Sequence, residues 1–442
     1  MTRILMTSPP IYGHLVSVVA VAGGLVARGF DVDVLTGAKY RGLVTRAGAR
    51  FLPLPREVDY DDADLDAFLP GRANHTGLAG LRHDMIGMFA RVVPGQDAAL
   101  TQALAAGDYV AVIGDVAFGG TMPLLLRSRD DATRRAQRPL VLGLSSVPVT
   151  MTSIDTAPFG LGLAPAPGVL GRARNRVLNR LVNDVLLREV DVALAAALCT
   201  CGITTAHPRF FDAAALFDGL FQLSTSGLEY PRRELDGRVA YLGPLPPVPR
   251  GDLPLPDWWA DLDAGTPVVH VTQGTIDNHD PARLIVPTIR ALAGSAVTVV
   301  AATGGRDVAE VLAHFPEGLP TNARVAEFLP YDALLPRTAA MVTNGGFGGV
   351  QQALRHGIPL AVAGATEDKP EVAARVAWAG AGIDLRSGAP KPARIRAAVD
   401  RLLRDERYRR GAQRLQGEIA AAGDPFDAIA ARVCEHARAR VA

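Results

Sequence analysis

A histidine and a distant aspartate supply the residue types of a general-base pair. His14 follows the predicted first strand, RILMTSP, and opens the next helix, while Asp115 ends a later apolar run, YVAVIGD. Both are expected at the carboxyl edge of one parallel sheet. A neutral imidazole can take a hydroxyl proton, and a carboxylate on its other ring nitrogen fixes the tautomer. Out of context, such a histidine is more often a surface or capping residue and such an aspartate a turn former, so the pair is a hypothesis.

A glycine-rich turn, VTNGGFGGVQQALRHGIPLAVAG, is the second feature that could do chemistry. An apolar run ends at Asn344, and a helical pattern follows at once. The glycines between them are Gly345, Gly346, Gly348 and Gly349. The first amides of a helix are unpaired and carry the positive end of its dipole, so an anion fits there. The turn alone is equally consistent with a structural role in which Asn344 caps the helix.

Two common phosphate-binding motifs do not match this chain. No Gly-Lys-Ser/Thr follows the glycine-rich turn, as it would in a nucleoside triphosphatase. The first strand–helix turn, SPPIYGH, lacks the glycine triplet of dinucleotide-binding proteins, and the second strand ends in Thr36-Gly37 without the expected acid. Both classes of phosphate binder are therefore disfavoured.

Strand and helix patterns alternate along the chain and would position these residues. In the first half, strands RILMTSP, FDVDVLTG, YVAVIGD and PLVLGLSS are separated by helical segments; in the second half, VVHVTQG, SAVTVVAATG, ARVAEFLP, AAMVTNG, PLAVAG and GIDL repeat the arrangement. Between them lies a proline-rich segment, 242–266, which cannot form element interiors. The sequence predicts an α/β protein of two doubly wound parallel-sheet domains, 1–241 and 267–423, joined by a linker.

Charge and cysteine content exclude several classes of function. The 442-residue chain has 46 Lys and Arg against 45 Asp and Glu, which favours neither nucleic acid nor an anionic membrane as partner. Cys199, Cys201 and Cys434 lack the paired spacing of a zinc site, and no metal is expected. The charge-free stretch Val192–Ala206 is shorter than the ~18 to 20 apolar residues of a membrane helix, and the start lacks a signal-peptide core. A cytoplasmic protein without an integral membrane segment is expected.

Two segments resemble the first family of nucleotide-sugar-dependent glycosyltransferases, the UDP-glycosyltransferase-like enzymes of GT-B fold. The stretch 328–376, which contains the glycine-rich turn, HGIP and an acid at Asp368, resembles their donor signature. The N-terminal YGHLVSVVAVAGGLVARGFDVDVLTG resembles their opening. The resemblance covers both domains and implies an N-terminal acceptor-binding domain facing a C-terminal donor-binding domain across a cleft. It also implies that the C-terminal helix, 424–442, crosses back onto the N-terminal domain.

The resemblance assigns a set of donor-binding residues. Phe328 would stack on the base of a UDP- or dTDP-sugar, Gln352 would face the ribose, and Asp368 and Lys369 would face the sugar ring. Thr275 and the glycine amides would hold the diphosphate. The full set is Thr275, Phe328, Leu329, Asn344, Gly345, Gly346, Gly348, Gly349, Gln352, Asp368 and Lys369. No cofactor is expected besides the nucleotide sugar as co-substrate.

The chain departs from the family pattern at several of these positions. The family usually has histidine in place of Asn344, a small hydroxyl residue in place of Gly349, glutamate in place of Gln352 and glutamine in place of Lys369. Losing an imidazole removes a charge-assisted phosphate contact worth ~1.5 to 3 kcal/mol. The departures affect the expected donor affinity and sugar identity, but not the location of the site.

The resemblance implies an inverting hexosyl transfer, with His14 as general base oriented by Asp115. Acceptor contacts in this fold come from N-terminal-domain loops, and here 83–95 and 145–168 are long and apolar. The candidate acceptor-binding residues are Met85, Met88, Phe89, Met151 and Phe159. Such side chains suit a flat apolar molecule and are equally consistent with core positions. A lipophilic natural-product alcohol or phenol is the expected acceptor.

Two alternatives stay open from the sequence. A nucleotide-sugar epimerase of the same architecture would need additional acids at the cleft instead of a histidine–aspartate pair. A catalytically silent sugar-nucleotide-binding partner protein is suggested by Asn344, whereas retention of His14 and Asp115 argues against it.

Overall fold

The computed structural model describes residues 2–166, 168–235, 237–246, 254–275 and 277–441, and it contains two parallel sheets. The first has the order β3-β2-β1-β4-β5-β6-β7 and the second the order β10-β9-β8-β11-β12-β13. This architecture confirms the predicted α/β fold class. The strands are β1 (Arg3–Thr7), β2 (Asp31–Thr36), β3 (Arg50–Pro53), β4 (Ala111–Asp115), β5 (Leu140–Ser145), β6 (Gly219–Gln222), β7 (Val239–Tyr241), β8 (Val268–Thr272), β9 (Thr298–Ala302), β10 (Ala323–Ala326), β11 (Thr338–Thr343), β12 (Leu360–Val362) and β13 (Gly382–Asp384).

Helices cover both faces of the sheets. They are α1 (Tyr12–Val26), α2 (Arg41–Arg46), α3 (Leu65–Phe68), α4 (Gly77–Met85), α5 (Val93–Ala106), α6 (Thr121–Arg129), α7 (Ala132–Gln137), α8 (Gly168–Arg180), α9 (Arg188–Thr200), α10 (Ile285–Leu292), α11 (Ala309–Leu312), α12 (Tyr331–Leu334), α13 (Phe347–Arg355), α14 (Lys369–Trp378), α15 (Pro392–Arg404), α16 (Glu406–Ala421) and α17 (Pro425–Val441). Strands such as β4 and β8 are buried along their whole length, which explains their uninterrupted apolar pattern.

The strand order of each sheet reverses once, and the predicted site residues follow the strands at these reversals. In the first sheet the reversal lies between β1 and β4, which precede His14 and end in Asp115, respectively. In the second it lies between β8 and β11, which precede Thr275 and the glycine-rich turn. Parallel sheets open a crevice at such a point, because neighbouring connections leave in opposite directions.

The C-terminal helix α17 packs on the first sheet's domain. Ile429 and Val433 are fully buried in the core that contains β1 and α1. Arg28 at the end of α1 binds Asp424 and Asp427 through its guanidinium. Asp424 also accepts the N–H of Phe426 at 2.7 Å, which caps the helix. The last element of the chain is thus part of the first domain's core.

The proline-rich segment 242–266 is only partly described, because residues 247–253 lie outside the described ranges. A 3-10 turn, Asp257–Asp263, buries Trp259 and Leu262 against the second sheet. We propose a domain division at this segment, with the 3-10 turn counted in the second domain. In the described ranges, no helix is long and apolar enough to cross a bilayer.

Candidate active site

His14 and Asp115 lie against each other at the reversal point of the first sheet. His14 stands in the first turn of α1, and its Nδ1 lies 3.0 and 3.1 Å from the two carboxylate oxygens of Asp115. The Asp115 side chain is 1% exposed and also accepts the N–H of Ala117 at 2.8 Å, which fixes its orientation. The imidazole keeps 18% exposure. Since Nδ1 is engaged by Asp115, Nε2 is the nitrogen that can accept a proton from a substrate.

The surroundings raise the pKa of His14 above its ordinary value of 6.5. Burial favours the neutral ring and acts to lower this pKa, but the charge of Asp115 and its hydrogen bond outweigh that effect. Asp368 and Glu367, from the second domain, also act to raise it. The predicted base therefore lies within electrostatic range of Asp368, one of the predicted sugar-binding residues of the second domain.

The glycine-rich turn contains two kinds of glycine: one that the backbone conformation requires, and three with free space beside them. Gly345 has φ +89°, and a Cβ there would lie 2.8 Å from Val362 Cγ1, so only glycine fits. A Cβ on Gly346 would meet only Asn344, at 3.8 Å, and Gly348 and Gly349 have no neighbour within 4 Å of the ideal Cβ position. The start of α13 is therefore open to an approaching group, as an anion-binding helix terminus requires.

Asn344 is engaged locally on both sides of its amide. Its Nδ2 donates to the carbonyl of Gln273, and its Oδ1 accepts the N–H of Gly346 at 3.3 Å. The structural interpretation of the turn predicted that Asn344 caps α13. The helix begins after Gly346, so Gly346 occupies the capping position. Asn344 instead connects the turn after β11 to the turn after β8.

Three predicted donor-binding residues beside the second sheet differ in their exposure: Phe328, Leu329 and Thr275. The Phe328 ring is 37% exposed and lies over Gly305, where a Cβ would come within 2.6 Å of the ring. Leu329 is buried in the core beside β8 and β9, so only its backbone could serve a ligand. Thr275 is exposed. A half-exposed ring held from beneath by glycine is suited to stacking.

Asp368 and Lys369 stand at the start of α14, within a group of charges. Lys369 is 4% exposed, and its Nζ contacts Glu367 and lies 3.6 Å from Asp277 Oδ2. Glu367 has φ +55°, which is strained for a residue with a side chain. Burial, and then the neighbouring Glu367, raise the pKa of Asp368 to about 6, against the effect of Lys369. The lysine charge is thus compensated within the protein, while Asp368 changes charge near neutral pH.

Gln352 lies beside the interdomain segment. Its Nε2 donates to the carbonyl of Leu245 at 3.1 Å, and Arg355, one turn later, donates to the carbonyl of Pro244. The side chain predicted to face the ribose is therefore engaged by the chain that joins the domains.

The structure brings three of the five candidate acceptor residues to one aromatic pair, Phe210 and Phe211. Phe89 lies 6.2 Å from Phe210, and Phe159 lies 5.4 Å from Phe211, whose ring contacts Phe210 at the same distance. Met85 lies in an apolar cluster against which Phe210 and Phe211 pack. Met88 and Met151 are buried in two other clusters. The sequence alone does not show whether an apolar side chain in a long loop lines a pocket or fills a core.

Several residues that contact these groups were not singled out from the sequence. Phe210 and Phe211 form an adjacent aromatic pair after Pro208, a visible pattern in a segment that carries no periodicity. Glu371 and Arg375 in α14 are buried despite their charge, and no local pattern distinguishes them from surface residues. Among the described residues, no three or more His, Cys, Asp and Glu are grouped so as to hold a metal ion.

Comparison with known proteins decides the family. Residues 298–435 match the model of the erythromycin biosynthesis protein CIII-like C-terminal domain. The 4'-demethylrebeccamycin synthase of Lentzea aerocolonigenes is 38% identical over 428 residues, covering 97% of this chain and 98% of that protein. UDP-glycosyltransferase 2 of Phaeomoniella chlamydospora is 33% identical over 99% of this chain and 96% of its own length. This chain belongs to the UDP-glycosyltransferase family. The expected enzyme class, a glycosyltransferase, is thereby confirmed.

Solved structures of glycosyltransferases share the fold. The calicheamicin glycosyltransferase CalG4 superposes with a TM-score of 0.71 at 22% identity, over 100% of this chain and 98% of its own. The glycosyltransferase VinC, solved in complex with dTDP, superposes with a TM-score of 0.64 at 19% identity, over 98% of this chain and 100% of its own. The predicted GT-B architecture is confirmed by these neighbours.

Proposed function

We propose that this glycosyltransferase moves a sugar from a UDP- or dTDP-sugar to a hydroxyl group of a lipophilic natural product, with inversion at the anomeric carbon. His14 acts as general base, and Asp115 holds it in place. The observation that carries the proposal is the contact of His14 Nδ1 with the buried Asp115.

The chemical step follows from this geometry. Nε2 of His14 takes the proton of the acceptor hydroxyl as its oxygen attacks the anomeric carbon. The bond from that carbon to the diphosphate breaks, and the nucleoside diphosphate leaves with the electron pair. The amides in the first turn of α13, at Gly348 and Gly349, stabilise the negative charge that develops on the diphosphate. Attack from the side opposite the leaving group inverts the configuration.

The nature of the substrates is supported by three observations. The half-exposed Phe328 ring suits a nucleobase, and base stacking tolerates either uracil or thymine. The aromatic cluster of Phe89, Phe159, Phe210 and Phe211 provides an apolar wall in the first domain. Relatives of the chain carry the names 4'-demethylrebeccamycin synthase and UDP-glycosyltransferase.

A panel of nucleotide sugars and aromatic alcohols, analysed by mass, tests the overall function, and NMR of the product tests inversion. His14→Ala should lower transfer at least ~100-fold while leaving donor affinity nearly unchanged. His314→Ala, a histidine outside the predicted site, is the matched control. Wild-type transfer by His14→Ala to an ordinary alcohol would refute the base assignment. Release of an isomerised sugar nucleotide would indicate an epimerase, and binding without turnover a silent partner protein.

A further inference from the structure

The loop that follows β5, residues 146–166, is fastened to the second domain at two points. Near its end, the N–H groups of Gly160 and Gly162 donate to Oε1 of Glu371, at 3.0 and 2.8 Å. A Cβ on Gly162 would lie 2.9 Å from the carbonyl oxygen of Pro370, so the loop lies directly on the first turn of α14. Near its start, Val149 is bonded to the second domain through Arg375, whose Nη2 donates to the Val149 carbonyl at 3.3 Å.

A buried group of charges joins the two attachment points. Arg375 is fully buried, and it contacts Glu371 at 2.6 Å and Glu229 at 2.9 Å. The second oxygen of Glu229 accepts the N–H of Val149 at 3.1 Å, and Arg232 donates to the Val149 carbonyl at 3.1 Å. Two arginines thus meet two glutamates, and the bonds run through both domains. Separating these groups is costly, because it leaves a buried charge unpaired.

The fastened loop connects the two predicted substrate sites. Phe159 directly precedes Gly160 and contacts Phe211 of the aromatic cluster. On the other side, Glu371 follows Asp368 and Lys369, which are predicted to face the sugar, by less than one helical turn. A shift of the loop on α14 would therefore move the acceptor wall relative to the sugar.

We propose that Glu371 is a positioning residue for glycosyl transfer: through the glycine amides of the 146–166 loop, it sets the place of the acceptor relative to the donor sugar. The proposal rests on the proposed function, because it takes the two sides of the crevice as acceptor and donor sites. Glu371 touches neither reacting group. It acts through the loop. Displacing the loop would misplace the acceptor, and a misplacement of ~1 Å can lower a reaction rate about 100-fold.

Two variants disturb the attachment from opposite sides. Glu371→Ala removes the acceptor of both glycine N–H bonds. Gly162→Ala leaves the charged group intact but places a methyl against Pro370, at a residue with φ +58°. The matched controls are Glu310→Ala, which breaks an exposed pair with Arg306, and Gly294→Ala, which has φ +66° and open space around it.

The decisive measurement is the partition of the donor between transfer and hydrolysis, together with the acceptor KM and the donor Kd. Both loop variants should raise the hydrolysed fraction and the acceptor KM by about tenfold, because water then competes with a misplaced acceptor, while the donor Kd stays within about twofold. Glu371→Gln, which retains an accepting oxygen, should lie between Glu371→Ala and the wild type. Both controls should match the wild type in the hydrolysed fraction, the acceptor KM and the donor Kd.

The outcome is independent of the base assignment. If Glu371→Ala and Gly162→Ala only lower the Tm and leave acceptor KM and partition unchanged, the contact is structural and the proposal is overturned. Should Glu371→Ala not fold, the Gly162→Ala and Gly294→Ala pair still decides. If His14→Ala retains full transfer while the loop variants show the partition effect, the base assignment fails and the positioning role stands.

Discussion

Asp115 holds Nδ1 of His14 at 3.0 Å, and this contact lies beyond the carboxyl ends of β1 and β4, the two strands between which the first sheet reverses its order. The aspartate is buried and hydrogen-bonded to the backbone, so its carboxylate is fixed and orients the imidazole. The contact sets which ring nitrogen is available and at which pH it is neutral. The first prediction follows from it.

The rate of transfer should rise with pH through an inflection above 6.5. The pKa of His14 is raised, so the imidazolium persists to higher pH than in a free histidine, and only the neutral ring can act as base. Asp115→Asn should move this inflection of kcat/KM to lower pH, since burial alone lowers the pKa. Asp368→Asn is the comparison: a separate inflection near pH 6 from Asp368 should vanish, and that of His14 should move down less than in Asp115→Asn, because Asp368 raises the His14 pKa less than Asp115 does. An unchanged profile in Asp115→Asn would contradict the assignment.

Gly346→Val should weaken donor binding without destabilising the fold. The new side chain enters open space at an ordinary φ of −56°, where the diphosphate is predicted to lie. We expect the donor Kd to rise at least about tenfold, corresponding to ~1.4 kcal/mol. Gly345→Ala should do the reverse: it should lower the Tm, because a residue with Cβ is strained by roughly 1 to 3 kcal/mol at φ +89°. Calorimetric titration with donor, combined with thermal unfolding, separates the two effects, and an unchanged donor Kd in folded Gly346→Val refutes the diphosphate site.

Asn344→His should keep or improve donor affinity and lower the Tm slightly. The imidazole adds a donor near the predicted phosphates, but it cannot reproduce both bonds of the asparagine amide, to Gln273 and Gly346. Losing one such bond costs about 1 kcal/mol. Asn344→Ala is the comparison, because it loses both bonds and adds no phosphate contact. Weaker donor binding by Asn344→His than by Asn344→Ala would show that this position does not face the phosphates.

Arg375→Met should destabilise the protein by ~3 to 5 kcal/mol, because it leaves Glu371 buried without its cation and Glu229 with only the more distant Arg232. Arg306→Met, which breaks an exposed pair with Glu310, should change stability by less than ~1 kcal/mol. Denaturant unfolding of the two variants provides the measurement. Equal stability of both variants would mean that the buried group is solvated in solution.

Local pattern was sufficient for most of the strands and for placing His14 and Asp115 side by side, but it did not identify β3, β6 or β7. Apolar runs identified the other strands, and the position of His14 and Asp115 at strand ends implied a common sheet edge. Local pattern was insufficient for apolar side chains that could lie either in a binding pocket or in the core. Met85 and Met88 suit a pocket or a core equally, and burial in two different clusters depends on the whole fold.

Long-range polar contacts were the other feature that the sequence did not reveal. Arg375 reads as an ordinary charged residue of an amphipathic helix, and its partner Glu229 lies in the other domain. The same is true of Gln352, whose bond to Leu245 depends on the path of the interdomain segment. Such pairs follow no regular sequence period or fixed spacing, so only the folded structure shows them.

The bonds between Glu229 and Arg375 also limit how hybrid enzymes can be built from this chain. A recombination point in segment 242–266 would join the first half of this protein to the donor half of a relative, exchanging one side of the buried group while keeping the other. Such a hybrid would retain Glu229 and Arg232 but receive whatever the relative has at positions 371 and 375. Donor specificity is therefore transferable as a block only between relatives that match at these positions, or when the 146–166 loop and residues 229–232 are exchanged with it.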